Sequence, residues 1–391
     1  MRQGGRSRRA VLQAIGVGTT AVGLGTGLGA ADGRGGRDGG ATTRVNVGIR
    51  PGGEQAARAA AATVHRTYAF DALTATVPEV AIPDLRARDD VRYVEVDGAV
   101  RIDGSGPVET EDTQTTPYGI ERVGATAVDE TGEGVHVGIV DTGIDATHPD
   151  LLGRVGESFT TVGSWVAGTA APAGQDDNGH GTHVAGTVGA TDDSGGVVGV
   201  APGVTVHAVK ALTAAGVGYN ADLARGIELA AEQDWDVVNL SIETTAASGT
   251  RMLRDACAFA RERGVVLVAA AGNYGPCSDC VAAPGKFATT VGVGATDADD
   301  DVAAFSSTGP GVDIAAPGVD VRSTDLGAGY TEKSGTSMAT PHVTGAAALL
   351  RAAGHDPGRT EERLLYTAED IGQKVAETGA GLLDVPAALQ R

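Results

Sequence analysis

The chain has 391 residues, 60 of them glycine, with aromatics at only 4% and a formal net charge of −20. This length allows one large domain and a smaller companion, and the composition favours tight turns and small-residue packing. Residues 107–391 carry 16 basic and 39 acidic side chains against 14 and 11 in residues 1–106, and only four basic residues are lysines (Lys210, Lys286, Lys333, Lys374), which excludes nucleic acid and anionic membranes as partners.

In chain order, residues 1–31 read as a targeting segment, basic at its start and uncharged from Ala10 to Ala31. Its glycine content makes it a poor permanent membrane span. Ser7-Arg8-Arg9-Ala10-Val11-Leu12-Gln13 resembles the twin-arginine export signal, which implies the twin-arginine machinery as a partner and a secreted product. Residues 32–41 have the Gly/Arg/Asp composition of a linker.

Residues 42–105 are expected to form a small α+β unit of ferredoxin-like type. Arg44–Ile49, Ala72–Val77 and Val91–Val96 read as its three main strands of about four, and Glu54–Val64 and Val80–Arg88 as its two helices. From Gln114 onward, buried runs alternate with helical segments. The runs are Val135–Val140, Val204–Leu212, Val237–Ile242, Val265–Ala271 and Thr289–Gly294; the helices include His183–Gly189, Ala221–Gln233 and Thr250–Glu262. This alternation predicts an α/β fold with a doubly wound parallel sheet, whose functional residues gather at the carboxyl ends of strands. Asp141 stands at one such end and Asn273 just beyond another. Cys277 and Cys280 sit in a loop, where they either close a short disulfide in an exported chain or stay free, and no further ligands are spaced for zinc. Cys257 falls in a helical stretch and reads as a small buried hydrophobe.

Three stretches carry the chemistry. They are V-G-I-V-D-T-G-I-D with Asp141, D-N-G-H-G-T-H-V-A-G-T with His180, and K-S-G-T-S-M-A-T-P-H with Ser337. Ser337 precedes a run of small apolar residues that reads as a buried helix, with Pro341 expected in its first turn. A hydroxyl at the positive end of a helix suits a nucleophile whose transition state gains negative charge. Together, in the order Asp, His, Ser, these blocks resemble the active-site blocks of the subtilisin-like serine proteases (subtilases), and the resemblance runs from about Gln114 to Leu389. The acidic, lysine-poor surface is further similar to that of the halolysins of halophilic archaea.

The resemblance implies a serine endopeptidase acting on proteins or peptides, with Asp141, His180 and Ser337 as its triad. His183, His148, His342 and Asp145 are then structural. Val268-Ala269-Ala270-Ala271-Gly272-Asn273 resembles the family's oxyanion block, which assigns the Asn273 side-chain amide as a donor. Gly216-Val217-Gly218 and Ser241-Ile242-Glu243 match the two edges of the substrate cleft, but the second departs from the usual Ser-Leu-Gly-Gly at Glu243 and Thr244. Glu243 is accordingly expected near the mouth of the specificity pocket, favouring basic or long side chains before the scissile bond. Residues 42–105 resemble the family's inhibitory propeptide, whose end reads Y-V-E-x-D as Tyr93–Asp97 does here; it would be cut between about Ile102 and Gln114, leaving residues 106–391 as the catalytic domain. A structural Ca²⁺ site is implied at the Gln114, Asp150 and Asp193 side chains with the carbonyls of Thr191, Gly195 and Val197. A monomer is expected. Gly379–Asp384 matches the end of the catalytic domain, so no further C-terminal domain is expected. A peptide-holding degenerate fold and an esterase are the competing classes. The first conflicts with four intact chemical positions, the second with Ser337 lying in G-T-S-M-A rather than G-x-S-x-G.

Overall fold

The structure is a computed structural model that describes residues 41–102, 113–163, 173–193, 195–244 and 250–390. The twin-arginine segment, linker residues 32–40 and residues 103–112 of the expected maturation stretch lie outside the described residues.

The N-terminal part begins with β1 (Thr42–Ile49), α1 (Glu54–Ala60), β2 (Thr63–Tyr68), β3 (Ala72–Pro78), α2 (Ile82–Arg86) and β4 (Val91–Val96). Its strands form an antiparallel sheet in the order β2-β3-β1-β4. Alternate residues Val45, Val47, Leu73, Ala75 and Val77 face a core shared with Leu85 and Val94. The opposite face is buried too, and Asn46 and Thr74 there satisfy one another by a hydrogen bond of 2.8 Å. The helix expected over residues 54–64 stops at Ala60, because Thr63 already pairs with Thr76 in β3.

A short strand, β5 (Ala99–Arg101), leads out of this part. Beyond it come α3 (Tyr118–Arg122), β6 (His136–Asp141), β7 (Val155–Thr160), α4 (His180–Gly189), β8 (Thr205–Lys210), β9 (Val217–Tyr219), α5 (Asn220–Glu232), β10 (Val237–Leu240), β11 (Glu243–Thr244), α6 (Arg251–Glu262), β12 (Val266–Ala270), β13 (Val291–Thr296), β14 (Ile314–Pro317), β15 (Val321–Asp325), β16 (Gly329–Lys333) and α7 (Thr336–Ala352). Seven strands form a parallel sheet in the order β14-β13-β12-β10-β6-β8-β7. The predicted α/β sheet is therefore present. Strands β7 and β14 and the β15–β16 hairpin are additions to the predicted set.

Apolar side chains of α4 and α7 fill one core of this sheet, and those of α5 and α6 fill the other. Tyr68, Ala72 and Val100 join the second core, so the N-terminal sheet packs over α5 and α6. Full burial of a Val, Leu or Ile side chain contributes about 1.5–3 kcal/mol, which makes this shared apolar layer a principal hold between the two parts. After β6 the chain runs through β7 and β8 on one side, then returns to place β10 on the other. The strand order thus switches between β6 and β10, where a doubly wound sheet opens a crevice at its carboxyl ends.

Pro341 is the sixth residue of α7, in its second turn rather than the first. The helix begins at Thr336 with Gly335 as its N-cap residue, so Ser337 lies inside the helix and is not a cap. Cys277 and Cys280 are joined as a disulfide, and Cys257 is buried and free. Among the described residues no helix is long and apolar enough to cross a membrane.

Candidate active site

Asp141 ends β6 and is fully buried, as is His180, the first residue of α4. Asp141 accepts the His180 Nδ1–H at 2.8 Å through Oδ1, with Oδ2 at 3.0 Å. A carboxylate only accepts, so the imidazole carries its proton on Nδ1 and leaves Nε2 as an acceptor. Two features bring α4 to this place. Asp176 caps its start, accepting the N–H groups of Asn178, Gly179 and Thr182 at 2.9–3.1 Å. Gly181 lies so close to β6 that a Cβ would stand 2.1 Å from the Gly143 carbonyl oxygen. Gly179 turns the chain into the helix at φ 97°, a left-handed conformation that favours glycine.

The other histidines are engaged elsewhere. His183 Nε2 lies 2.9 and 3.2 Å from the carbonyls of Val321 and Thr331, and burial lowers its pKa to about 3. His342 donates from Nδ1 to the Met338 carbonyl at 3.0 Å, and burial lowers its pKa to about 4. His148 Nε2 donates to the Gly329 carbonyl at 3.0 Å, and Asp145 accepts the Thr147 amide within its loop and the Gly327 amide from the turn before β16.

Ser337 Oγ donates to the Ser241 carbonyl at 3.1 Å, while Ser241 Oγ donates back to the Ser337 carbonyl at 2.8 Å. Among the described residues His180 Nε2 is buried without a hydrogen-bond partner, so its link to Ser337 is not closed in this geometry. Asn273 follows the carboxyl end of β12. Its Oδ1 accepts Thr336 N–H at 2.9 Å, the amide just before Ser337. That bond fixes the carboxamide with Nδ2 turned away from Thr336 as a donor.

The two predicted cleft edges face each other across β5. Ala99, Val100 and Arg101 pair antiparallel with Tyr219, Gly218 and Val217 of β9, and Arg101 and Val100 pair antiparallel with Glu243 and Thr244 of β11. Ile102 N–H continues the ladder to the Gly216 carbonyl at 3.1 Å. The tail of the N-terminal part is thus the middle strand of a three-stranded sheet whose edges are Gly216–Gly218 and the Glu243 strand. Ser241 and Ile242 are buried beneath it. Glu243 is buried as well: its Oε2 accepts Asn273 N–H at 2.9 Å and its Oε1 lies 3.5 Å from Arg101 Nε.

The two carboxylates of the Y-V-E-x-D stretch join the parts, a role the sequence reading did not assign them. Glu95 accepts the Met252 and Arg251 amides at 2.9 and 3.2 Å, and Asp97 accepts the Ala221 amide at 3.0 Å. They cap α6 and α5 respectively. Their signal was legible: Glu95 in β4 and Asp97 just after its end are two apart in extended chain and so point to one face. Asp176 was also missed, although an Asp shortly before a helix is a cap signature.

At the expected Ca²⁺ position, Gln114 Nε2 donates to the Thr191 carbonyl at 3.2 Å, and Asp150 accepts Val197 N–H at 2.8 Å and Tyr330 O–H at 2.9 Å. Asp193 accepts Gly195 N–H at 2.9 Å. Burial raises the Asp150 pKa, and the charge of Asp193 adds to that rise. The six predicted residues are therefore linked in one place. Among the described residues, no three His, Cys, Asp or Glu side chains cluster as a metal cage.

A parallel sheet whose switch point carries an aspartate-held histidine, with a serine near the start of a buried helix, is the pattern of one recognisable class of hydrolase. The chain belongs to the subtilase family, the subtilisin-like serine endopeptidases, whose family model matches residues 132–381. It is 42% identical to an alkaline protease of Alkalihalobacillus alcalophilus over 80% of each chain. It is 44% identical to subtilisin Savinase of Lederbergia lenta over 70% of this chain and 99% of that protein. With subtilisin E of Bacillus subtilis it shares 39% identity over 82% of this chain and 81% of that one.

Proposed function

We propose that this chain is a secreted serine endopeptidase that cuts proteins through an acyl-enzyme intermediate, with Asp141, His180 and Ser337 as its triad. The observation that carries the reading is the Asp141–His180 contact at 2.8 Å between two fully buried side chains. It leaves Nε2 free to take the Ser337 proton. The Ser337 oxygen then attacks the scissile carbonyl, and His180 returns the proton to the leaving amine. Asp141 holds the imidazole in one tautomer and offsets its transient positive charge. The oxyanion is met by Asn273 Nδ2 and the Ser337 N–H, an amide of the first turn that has no intrahelical acceptor. Water repeats the attack on the acyl-enzyme and frees Ser337.

Residues 42–105 act as an inhibitory propeptide, a reading supported by β5, which fills the cleft between Gly216–Gly218 and Glu243 as a substrate strand would. Gln114, Asp150 and Asp193 would hold a Ca²⁺ ion with the carbonyls of Thr191, Gly195 and Val197. The set supplies hard oxygens, and a divalent cation would offset the repulsion between Asp150 and Asp193. Rotating the Gln114 carboxamide brings its oxygen to the site. Export by the twin-arginine route, a monomeric state and a halolysin-like adaptation to high salt complete the proposal; the last is supported by four lysines and the concentration of acid in residues 107–391. Hydrolysis of casein by the purified protein in high salt, lost in Ser337→Ala, tests the reading.

A further inference from the structure

Glu243 replaces a small residue at the floor of a peptide-binding edge, and it is held there by more than chance packing. Its backbone pairs with Arg101 across the β5–β11 ladder. Its carboxylate is only 5% exposed, anchored through Oε2 by Asn273 N–H at 2.9 Å. The remaining oxygen, Oε1, is directed at the guanidinium of that same cross-strand partner, 3.5 Å away. Arg101 is 45% exposed, so its charge sits at the rim and meets a buried anion. A carboxylate fixed by a backbone amide has little rotamer freedom left to lose, which favours a specific ion pair over a loose surface one.

The register says which substrate residue meets it. In the antiparallel ladder Thr244 faces Val100 and Glu243 faces Arg101, so the residue opposite Ser241 lies two positions further along the substrate strand. Ser337 Oγ is 3.1 Å from the Ser241 carbonyl. The residue opposite Ser241 is therefore the one presented to the nucleophile, and the residue opposite Glu243 is the third before the scissile bond. We infer that Glu243 is a specificity determinant that selects arginine or lysine at the third residue before the cut, through the contact that Arg101 makes in the intact chain. The backbone register sets this contact two residues before the one presented to the nucleophile, while the carboxylate itself stays anchored beside Asn273, and the inference rests on the endopeptidase reading above.

The test uses the processed protein and a set of quenched peptides that differ only at that third residue, as Arg, Lys, Leu or Glu, with cleavage positions read by mass spectrometry. Glu243→Gln keeps an acceptor for Asn273 N–H while removing the charge, so the comparison is the Arg-to-Leu ratio of kcat/KM within each form. The expected ratio is up to about fivefold in the wild type, the size of a favourable rim ion pair, and about one in Glu243→Gln. Equal ratios in the two forms, or a basic preference at another position, would overturn the inference while leaving the endopeptidase reading intact. Failure to cleave any peptide would overturn the endopeptidase reading, and this inference with it.

Discussion

Ser241 and Ser337 hold each other through a reciprocal pair of hydrogen bonds, 3.1 Å from Ser337 Oγ to the Ser241 carbonyl and 2.8 Å from Ser241 Oγ to the Ser337 carbonyl. The second bond exists because of Pro341. A helix would give the Ser337 carbonyl the N–H four residues on, and proline has none. Asn239 Nδ2 in turn donates to Ser241 Oγ at 2.8 Å, and Asn239 Oδ1 accepts Thr344 Oγ1–H at 2.9 Å, which ties the end of β10 to α7. The backbone that carries the proposed nucleophile is thus fixed from a neighbouring strand.

Removing the Ser241 hydroxyl leaves the buried Ser337 carbonyl without that donor. Ser241→Ala in a Ser337→Ala background, which prevents self-digestion, should lose about 1–3 kcal/mol in urea unfolding. Adding Pro341→Ala supplies an N–H to the same carbonyl, so the two substitutions should be less than additive. Full additivity would show that the bond to the Ser337 carbonyl contributes nothing.

Asn273→Ala removes an oxyanion donor and also the acceptor for Thr336 N–H. The expected loss is about 10²–10³-fold in kcat with KM nearly unchanged, because the donor acts on charge that exists only in the transition state. Steady-state kinetics on a peptide amide checks it; a loss confined to KM would assign Asn273 to substrate binding.

How much of this was legible beforehand follows from where the information sits. The blocks around Asp141, His180 and Ser337 are contiguous, and each places its residue at a strand or helix end, so both the sheet and the candidate site could be read. The β15–β16 hairpin could not. Its buried positions include Ser323, Thr324, Asp325, Thr331 and Lys333, which carry no apolar alternation. Two of them are tolerated because α4 supplies acceptors, Ser323 Oγ donating to the His183 carbonyl at 2.8 Å and Thr324 Oγ1 to the Thr182 carbonyl at 2.7 Å, and Lys333 pairs with Asp325 at 3.3 Å. Strand β2 was hidden in the same way, by T-V-H-R-T-Y and a mostly half-buried pattern directly after an alanine-rich helix. The role of Glu243 needed the tail strand in place, since Arg101 is 142 positions away in sequence and meets it only across the cleft.

Release of the N-terminal part should depend on pH. Asp222 on α5 is buried against Arg44, His65, Arg66 and Tyr68 of that part, and burial raises its pKa from 3.8 to about 7. Asp97 adds negative charge beside it, and burial raises Asp97 and Glu95 in the same direction. A carboxyl raised in the bound state favours association below its free pKa and loses that advantage as pH rises through the bound one. Asp222 thus holds the N-terminal part most tightly near pH 4 and progressively less up to about pH 7, opposed at the acid end by His65, whose pKa burial lowers. Ser337→Ala protein nicked between Ile102 and Gln114, run on gel filtration across this range, should show dissociation growing with pH, and Asp222→Asn should flatten the dependence. Dissociation that grows as pH falls would contradict the sign.

Chelation should lower thermal stability if Asp150 and Asp193 hold Ca²⁺. At a hundredfold excess over Kd, a bound ion contributes about 2.7 kcal/mol. For a domain of this size that corresponds to a Tm change of about 4–5 °C. Ser337→Ala protein heated with and without a chelator should show the difference, and Asp150→Asn should abolish it. A Tm indifferent to both would remove the metal from the proposal.

The most direct measurement is the intact mass of the purified protein in high salt, wild type beside Ser337→Ala. The wild type should lose everything before a cut between Ile102 and Gln114, while the variant keeps its full length. Full-length protein in both, with no hydrolysis of an unfolded protein by either, would contradict Ser337 as the nucleophile of a self-processing protease.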